Sequence, residues 1–169
     1  MEDYAAEGKS LSRVNGKVIF IDGAVPGDVV DVLLGKNKKD WAEGKAIRMH
    51  TLSANRTEPF CSHFGICGGC KWQMLPYKKQ LEYKQNEVEQ NLRRLGRISL
   101  PPVMPILGCD KTVRYRNKLE FTFSNHRYKT WDEIQKDPLP LQPRAERKED
   151  PALGFHVPRI FDKVIDITT

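Results

Sequence analysis

The sequence predicts an α+β fold, a small N-terminal β-barrel followed by a mixed α/β region. Three observations predict it. Tight-turn signals separate short apolar runs in the first sixty residues, apolar side chains recur at helical spacing over 76–95, and strand-like runs return at 114–123 and 164–169. A chain of 169 residues has room for one ordinary domain or two small ones. The change of pattern divides it into 1–57 and 58–169.

The elements follow in order. Val14-Asn15-Gly16-Lys17 holds Asn-Gly, the strongest short hairpin signal, because both central turn positions need φ > 0. It joins strands at 9–13 and 18–21. Val25-Pro26-Gly27-Asp28 supplies a second turn, with Pro fixing φ and Gly free to take the left-handed region. Residues 29–34 form the next strand, 35–40 a polar tip, and 41–52 a further strand. Four or five short strands in about sixty residues suit a barrel, which removes its own edges by closing.

From residue 76 to 95 the period changes. Tyr77, Leu81, Val88, Leu92 and Leu95 fall on nearly one helical face, with Pro76 suited to the first turn and Gly96 to the C-terminal end. Pro101-Pro102 marks a linker. Residues 114–123 read as a strand and place the aromatics Tyr115, Phe121 and Phe123, like Phe20 before them, in a core. Residues 136–151 hold four prolines and many charges and read as a loop. The last six residues, ending Val164-Ile165-Asp166-Ile167-Thr168-Thr169, are apolar and strand-like. Such an abrupt stop is expected of a piece of a longer protein.

Charge and cysteine are concentrated together. The net charge is +6, and residues 61–118 carry 11 basic against 4 acidic side chains, while the segments on either side are nearly balanced. That middle stretch also holds all four cysteines. Localised positive charge favours a polyanionic partner through counterion release. No run approaches the ~20 apolar residues of a membrane span, and the acidic start lacks the apolar core of a signal peptide. A cytoplasmic, monomeric protein is expected, in a reducing compartment where clustered thiols bind metal.

Cys61-Ser-His-Phe-Gly-Ile-Cys67-Gly-Gly-Cys70 is the most informative segment. The two-residue gap lets the sulfurs of Cys67 and Cys70 converge. Gly68 and Gly69 let backbone amides approach those sulfurs, and Cys61 can swing in from the preceding loop. Zinc would complete four ligands with His63 or Cys109, whereas an iron–sulfur cluster would want a fourth thiolate.

These residues resemble a known family. The Cys-x5-Cys-Gly-Gly-Cys stretch, with Trp72-Gln73 and residues 77–84 after it, is similar to the iron–sulfur signature of bacterial RNA (uracil-5-)-methyltransferases, the RumA/TrmA-like family. Gly8-Lys9, Phe20, Ala24-Val25-Pro26-Gly27-Asp28 and residues 36–39 resemble that family's N-terminal TRAM domain, an OB-like barrel. Tyr115-Arg116-Asn117-Lys118, Leu153-Gly154-Phe155 and Val164-Ile165-Asp166-Ile167 resemble stretches of its central domain.

The resemblance implies that Cys61, Cys67 and Cys70 are three of four [4Fe-4S] ligands, the fourth lying beyond Thr169; Cys109 does not match it. It implies a parent enzyme that uses S-adenosylmethionine. The parent adds a cysteine thiolate to C6 of uracil, methylates C5 and removes the C5 proton with a carboxylate. No catalytic residue of that scheme is expected here, so this piece is expected to be inactive.

RNA, ribosomal or transfer, is the expected partner. On a TRAM-like barrel, Lys36, Lys38, Lys39 and Trp41 would meet backbone phosphates and a stacked base, although Trp41 also suits a core and the lysines a solvated turn. Arg114, Arg116 and Lys118 alternate along the expected strand and so share one face for phosphates; Arg116 and Asn117 also suit a structural pair. The alternative is a stand-alone zinc-containing nucleic-acid-binding module without catalysis, and a third class is an iron–sulfur electron carrier.

Overall fold

The computed structural model describes residues 1–136, 149–160 and 162–167. The fold is α+β, and the chain forms two compact units. One comprises Met1–Phe60 with Lys71–Tyr115, the other Cys61–Cys70 with Arg116–Thr169. They interleave along the chain, whereas the sequence reading set a single boundary at 57–58.

The first unit is built on a five-stranded sheet. Its strands are β1 (Asp3–Tyr4), β2 (Ser10–Val14), β3 (Lys17–Asp22), β4 (Val29–Asn37) and β5 (Trp41–Thr51), in the order β1-β2-β3-β5-β4. The Asn-Gly hairpin forms as expected, with Asn15 at φ 50° and Gly16 at φ 79° between antiparallel β2 and β3. At the second turn the Asp28 N–H donates to Val25 O at 3.0 Å, and Gly27 takes φ 95°. β4 runs on to Asn37, so the polar tip is shorter than expected. β5 then pairs antiparallel with β4 and parallel with β3.

Among the described residues no ladder joins the edge strands β1 and β4, so the expected closed barrel is an open sheet. β1 is only two residues long and pairs with β2 alone. Met1 ties the edges instead: its carbonyl accepts from Gly27 N–H at 3.0 Å and its ammonium donates to Asp28 O at 2.9 Å.

Ile21, Ala24, Val25 and Ala42 are buried in this unit, joined by Met74 and Leu75 just before the helix. Helix α1 (Tyr77–Arg94) matches the expected span. Pro76 stands at its N-terminal boundary and Leu95 at its end, and the Gln80 amide donates to the carbonyls of Trp72 and Leu75. The Trp72 indole lies against Gly8. A Cβ there would stand 2.3 Å from Trp72 Nε1, and Gly8 is at φ 75°. That indole N–H is buried without a hydrogen-bond partner among the described residues.

The second unit holds an antiparallel sheet of β6 (Thr122–Ser124), β7 (Ala152–His156) and β8 (Val164–Asp166), with a short helix α2 (Trp131–Lys136). Ala152, Val157, Val164 and Ile165 are buried. Thr130 and Glu133 cap α2 reciprocally: Thr130 N–H donates to Glu133 Oε2 at 2.7 Å and Glu133 N–H to Thr130 Oγ1 at 3.3 Å.

The expected strand over 114–123 is corrected, because only Thr122–Ser124 is extended and paired. Arg114 adopts φ 56°, a left-handed step that interrupts a strand. Tyr115, Phe121 and Phe123 are exposed rather than in a core, Phe123 at 82%. Of the loop expected over 136–151, residues 137–148 lie outside the described residues, as do Thr168 and Thr169 of the final run. No described helix is long and apolar enough to cross a membrane.

Candidate functional site

The cysteine loop is a tight turn anchored on β7. Phe64 N–H donates to Cys61 O at 3.0 Å, and Cys67 N–H to His63 O at 2.9 Å. Gly65 supplies the left-handed residue between them, at φ 88°. Gly68 N–H donates to His156 O at 3.1 Å. A Cβ at Gly68 would fall 2.7 Å from that oxygen, and one at Gly69 would stand 3.4 Å from Cys67 Sγ. Gly69 N–H itself donates to Cys67 Sγ at 3.3 Å, the kind of amide bond that steadies a metal-bound thiolate. Cys61 Sγ lies 4.0 Å from His63 Nδ1.

Burial pushes the Cys67 thiol up. The Gly69 amide opposes that rise, and the neighbouring Cys70 and Cys61 add to it. A Cys67 thiolate disfavoured by burial and by its neighbours is one that a cation would stabilise. In chemistry and spacing the donors fit a thiolate-bound centre. They are not gathered tightly around one point: among the described residues no three His, Cys, Asp or Glu side chains are close enough to hold a metal ion. Cys109 belongs to the other unit, where its thiol donates to Lys111 O at 3.0 Å.

The expected RNA contacts fall in two places. In the first unit, Lys36 Nζ stands 5.1 Å over the Trp41 ring, and Phe20 meets that ring edge-on at 6.5 Å between centroids. Lys38 N–H donates to Trp41 O at 2.8 Å across the β4–β5 turn, and the side chains of Lys36, Lys38 and Lys39 are exposed. In the second unit, Arg116 and Lys118 line a shallow groove of about 280 Å³ with Leu119, Glu120 and Phe155. Lys118 Nζ is 2.7 Å from Glu120 Oε1. The shared strand face proposed for Arg114, Arg116 and Lys118 is corrected, since none of the three lies in a strand and Arg114 falls in the first unit.

Two features escaped the sequence reading. Phe155 lines the groove and packs on Phe121 at 5.1 Å between centroids; Leu153-Gly154-Phe155 resembles a stretch of the family's central domain, which gives Phe155 no role by itself. Lys84 Nζ lies 5.7 Å over the Trp72 ring, a contact that helical spacing alone does not reveal.

No protein-family model matches the chain. Curated relatives do. A protein of Bacteroides thetaiotaomicron named an uncharacterized RNA methyltransferase is 53% identical over 163 residues, 96% of this chain and 34% of that protein. Proteins of the same name from Porphyromonas gingivalis and Chlorobaculum tepidum are 44% and 38% identical over 98% and 99% of the chain, again covering about a third of each relative. The chain thus spans about a third of the length of the curated relatives it matches.

Proposed function

We propose that the chain, which belongs to the same family as these RNA methyltransferases, is the RNA-holding and thiolate-bearing portion of a longer S-adenosylmethionine-dependent RNA (uracil-5-)-methyltransferase. The observation that carries the reading is identity along nearly the whole chain to proteins so named. The parent acts on ribosomal or transfer RNA, and this portion holds the substrate rather than performing the transfer.

The first unit supports an OB-like TRAM identity. OB folds are five-stranded, partly open barrels that bind oligonucleotides on the face of their second and third strands and on the loops after the first and fourth. Here Lys38 and Lys39 stand in the loop after β4, and Trp41 opens β5 under Lys36. That pairing of exposed cations with an aromatic ring suits a single strand of RNA, whose phosphates meet the lysines while a base stacks. Arg116, Lys118 and Phe155 offer the same combination in the second unit.

Cys61, Cys67 and Cys70 are the residues that would hold a [4Fe-4S] cluster, with a fourth ligand from the rest of the longer protein. The cluster would supply cross-linking of the loop, since methyl transfer needs no redox step. The Gly69 amide on Cys67 Sγ supports this assignment.

Anaerobic purification of the full-length protein tests the metal assignment. Iron and sulfide near four per chain are expected; a colourless protein with one zinc would replace it with the zinc-module reading. Methyl transfer to C5 of uridine, read by mass spectrometry of digested RNA, tests the activity. A methyl group at any other position would overturn the uracil-5 assignment.

A further inference from the structure

Helix α1 continues its apolar stripe beyond the point where the chain covers it. At its first half the segment after Pro101-Pro102 returns along the helix. Ile106 N–H donates to Gln85 Oε1 at 2.9 Å, Cys109 N–H donates to Tyr77 Oη at 2.7 Å, and Gly108 lies against Leu81 and Tyr77. Past Gln85 the stripe is largely open, with only Ile98 folding back to donate its N–H to Leu92 O. Val88, Leu92, Leu95 and Ile98 are exposed at 57%, 39%, 80% and 50%, and on the returning segment Met104 and Leu107 are exposed at 83% and 94%. Exposed apolar side chains gathered on one helix and on the segment that returns along it mark an interaction face.

We infer that this face of α1 and residues 98–107 is the docking surface for the part of the longer polypeptide that the relatives carry beyond the matched third, presenting an apolar patch of its own. The length of the relatives favours that occupant over a second copy of this chain. They are about three times the length that the match covers, so a tethered partner is present at high effective concentration. The inference rests on the longer parent proposed above, but needs neither RNA binding nor a metal.

Photo-crosslinking in the full-length protein tests it. A benzophenone amino acid is placed at Leu95 or at Leu107, and at exposed Asn86 as the control. Crosslinks from 95 and 107 to residues beyond 169 of the same chain are expected, at least tenfold more abundant than from 86. Crosslinks between copies would overturn the inference, as would equal yields from all three positions or an open reading frame that stops at Thr169. A Leu95→Asp, Leu107→Asp variant that stays folded by circular dichroism is expected to bind several-fold more hydrophobic dye, and unchanged dye binding counts against the docking surface. RNA binding and iron content are measured on the same samples, so failure here is separate from failure of the functional reading.

Discussion

Arg56 closes on Asp28 through both nitrogens of one edge: Nη2 stands 2.7 Å from Oδ2 and Nε 2.9 Å from Oδ1. The carboxylate is fully buried and also accepts from the N–H groups of Val25 and Ser53 at 2.7 and 2.8 Å. Burial pushes its pKa up, but the Arg56 guanidinium and the two amides outweigh that and hold it below the usual carboxylate range. One residue thereby fixes the turn before β4 and the chain after β5.

Asp28→Asn keeps the shape and removes the charge, leaving Arg56 without its counter-ion. Losing one partner of a buried pair costs about 3 kcal/mol, read as a lower urea midpoint with an unchanged slope. A shift below about 0.5 kcal/mol would show that the amide bonds alone hold the turn.

Glu133 gives a pH dependence to the second unit. The Thr130 amide, first, and the Arg127 guanidinium, 2.7 Å away, draw its pKa down to about 2. Its contribution is present above the ordinary Glu value of about 4.3 and is lost as pH falls toward 2. The stability difference between the wild type and Glu133→Gln is therefore expected to be largest above pH 5 and to vanish near pH 2. A difference that is flat across that range refutes the assignment.

Gly68 and Gly16 separate two reasons for glycine. At Gly16 a Cβ meets nothing within 4 Å, so Gly16→Ala costs only its left-handed φ of 79°, about 1 kcal/mol. At Gly68 the φ is unexceptional, but a Cβ would meet His156 O at 2.7 Å. Gly68→Ala is expected to cost about 1–3 kcal/mol by displacing the cysteine loop from β7 and, with the cluster proposed above, to lower the iron content of the full-length protein. Full iron with normal stability would show that the loop shifts freely.

On the proposed reading RNA is held by exposed lysines and arginines, and its affinity is expected to fall steeply with salt. Lys38→Glu with Arg116→Glu should weaken binding and flatten the salt slope by about 0.7 per lost phosphate contact for single strands. Trp41→Ala should cost about 1–3 kcal/mol of stacking while leaving the slope unchanged. Salt-independent binding would remove the nucleic-acid reading from both units.

Local chemistry made much of the fold readable. Asn15-Gly16, the Val25–Asp28 turn and the α1 stripe each depend on a few adjacent residues, and all three form as expected. Relationships across distance were not readable. Nothing near Val18 announces that it lies opposite Trp41 in a parallel ladder, or near Asp28 that its partner is Arg56. Residues 114–121 misled because alternating cations and aromatics look like a strand on paper. Among the described residues no neighbouring strand pairs them, and Arg114 turns left-handed instead. At the cysteine loop, spacing disclosed the donor type, while the anchoring of Gly68 on β7 needed the tertiary structure.

The parallel pairing of β3 with β5 sets a schedule for synthesis. β3 is complete at Asp22, but the strand that covers its far side runs from Trp41 to Thr51. A ribosome adding 5–20 residues per second leaves that edge waiting for roughly a few seconds. During this interval the nascent chain presents an unpaired strand to its surroundings, so the first moments of biogenesis are when it is most open to mispairing and to chaperone capture.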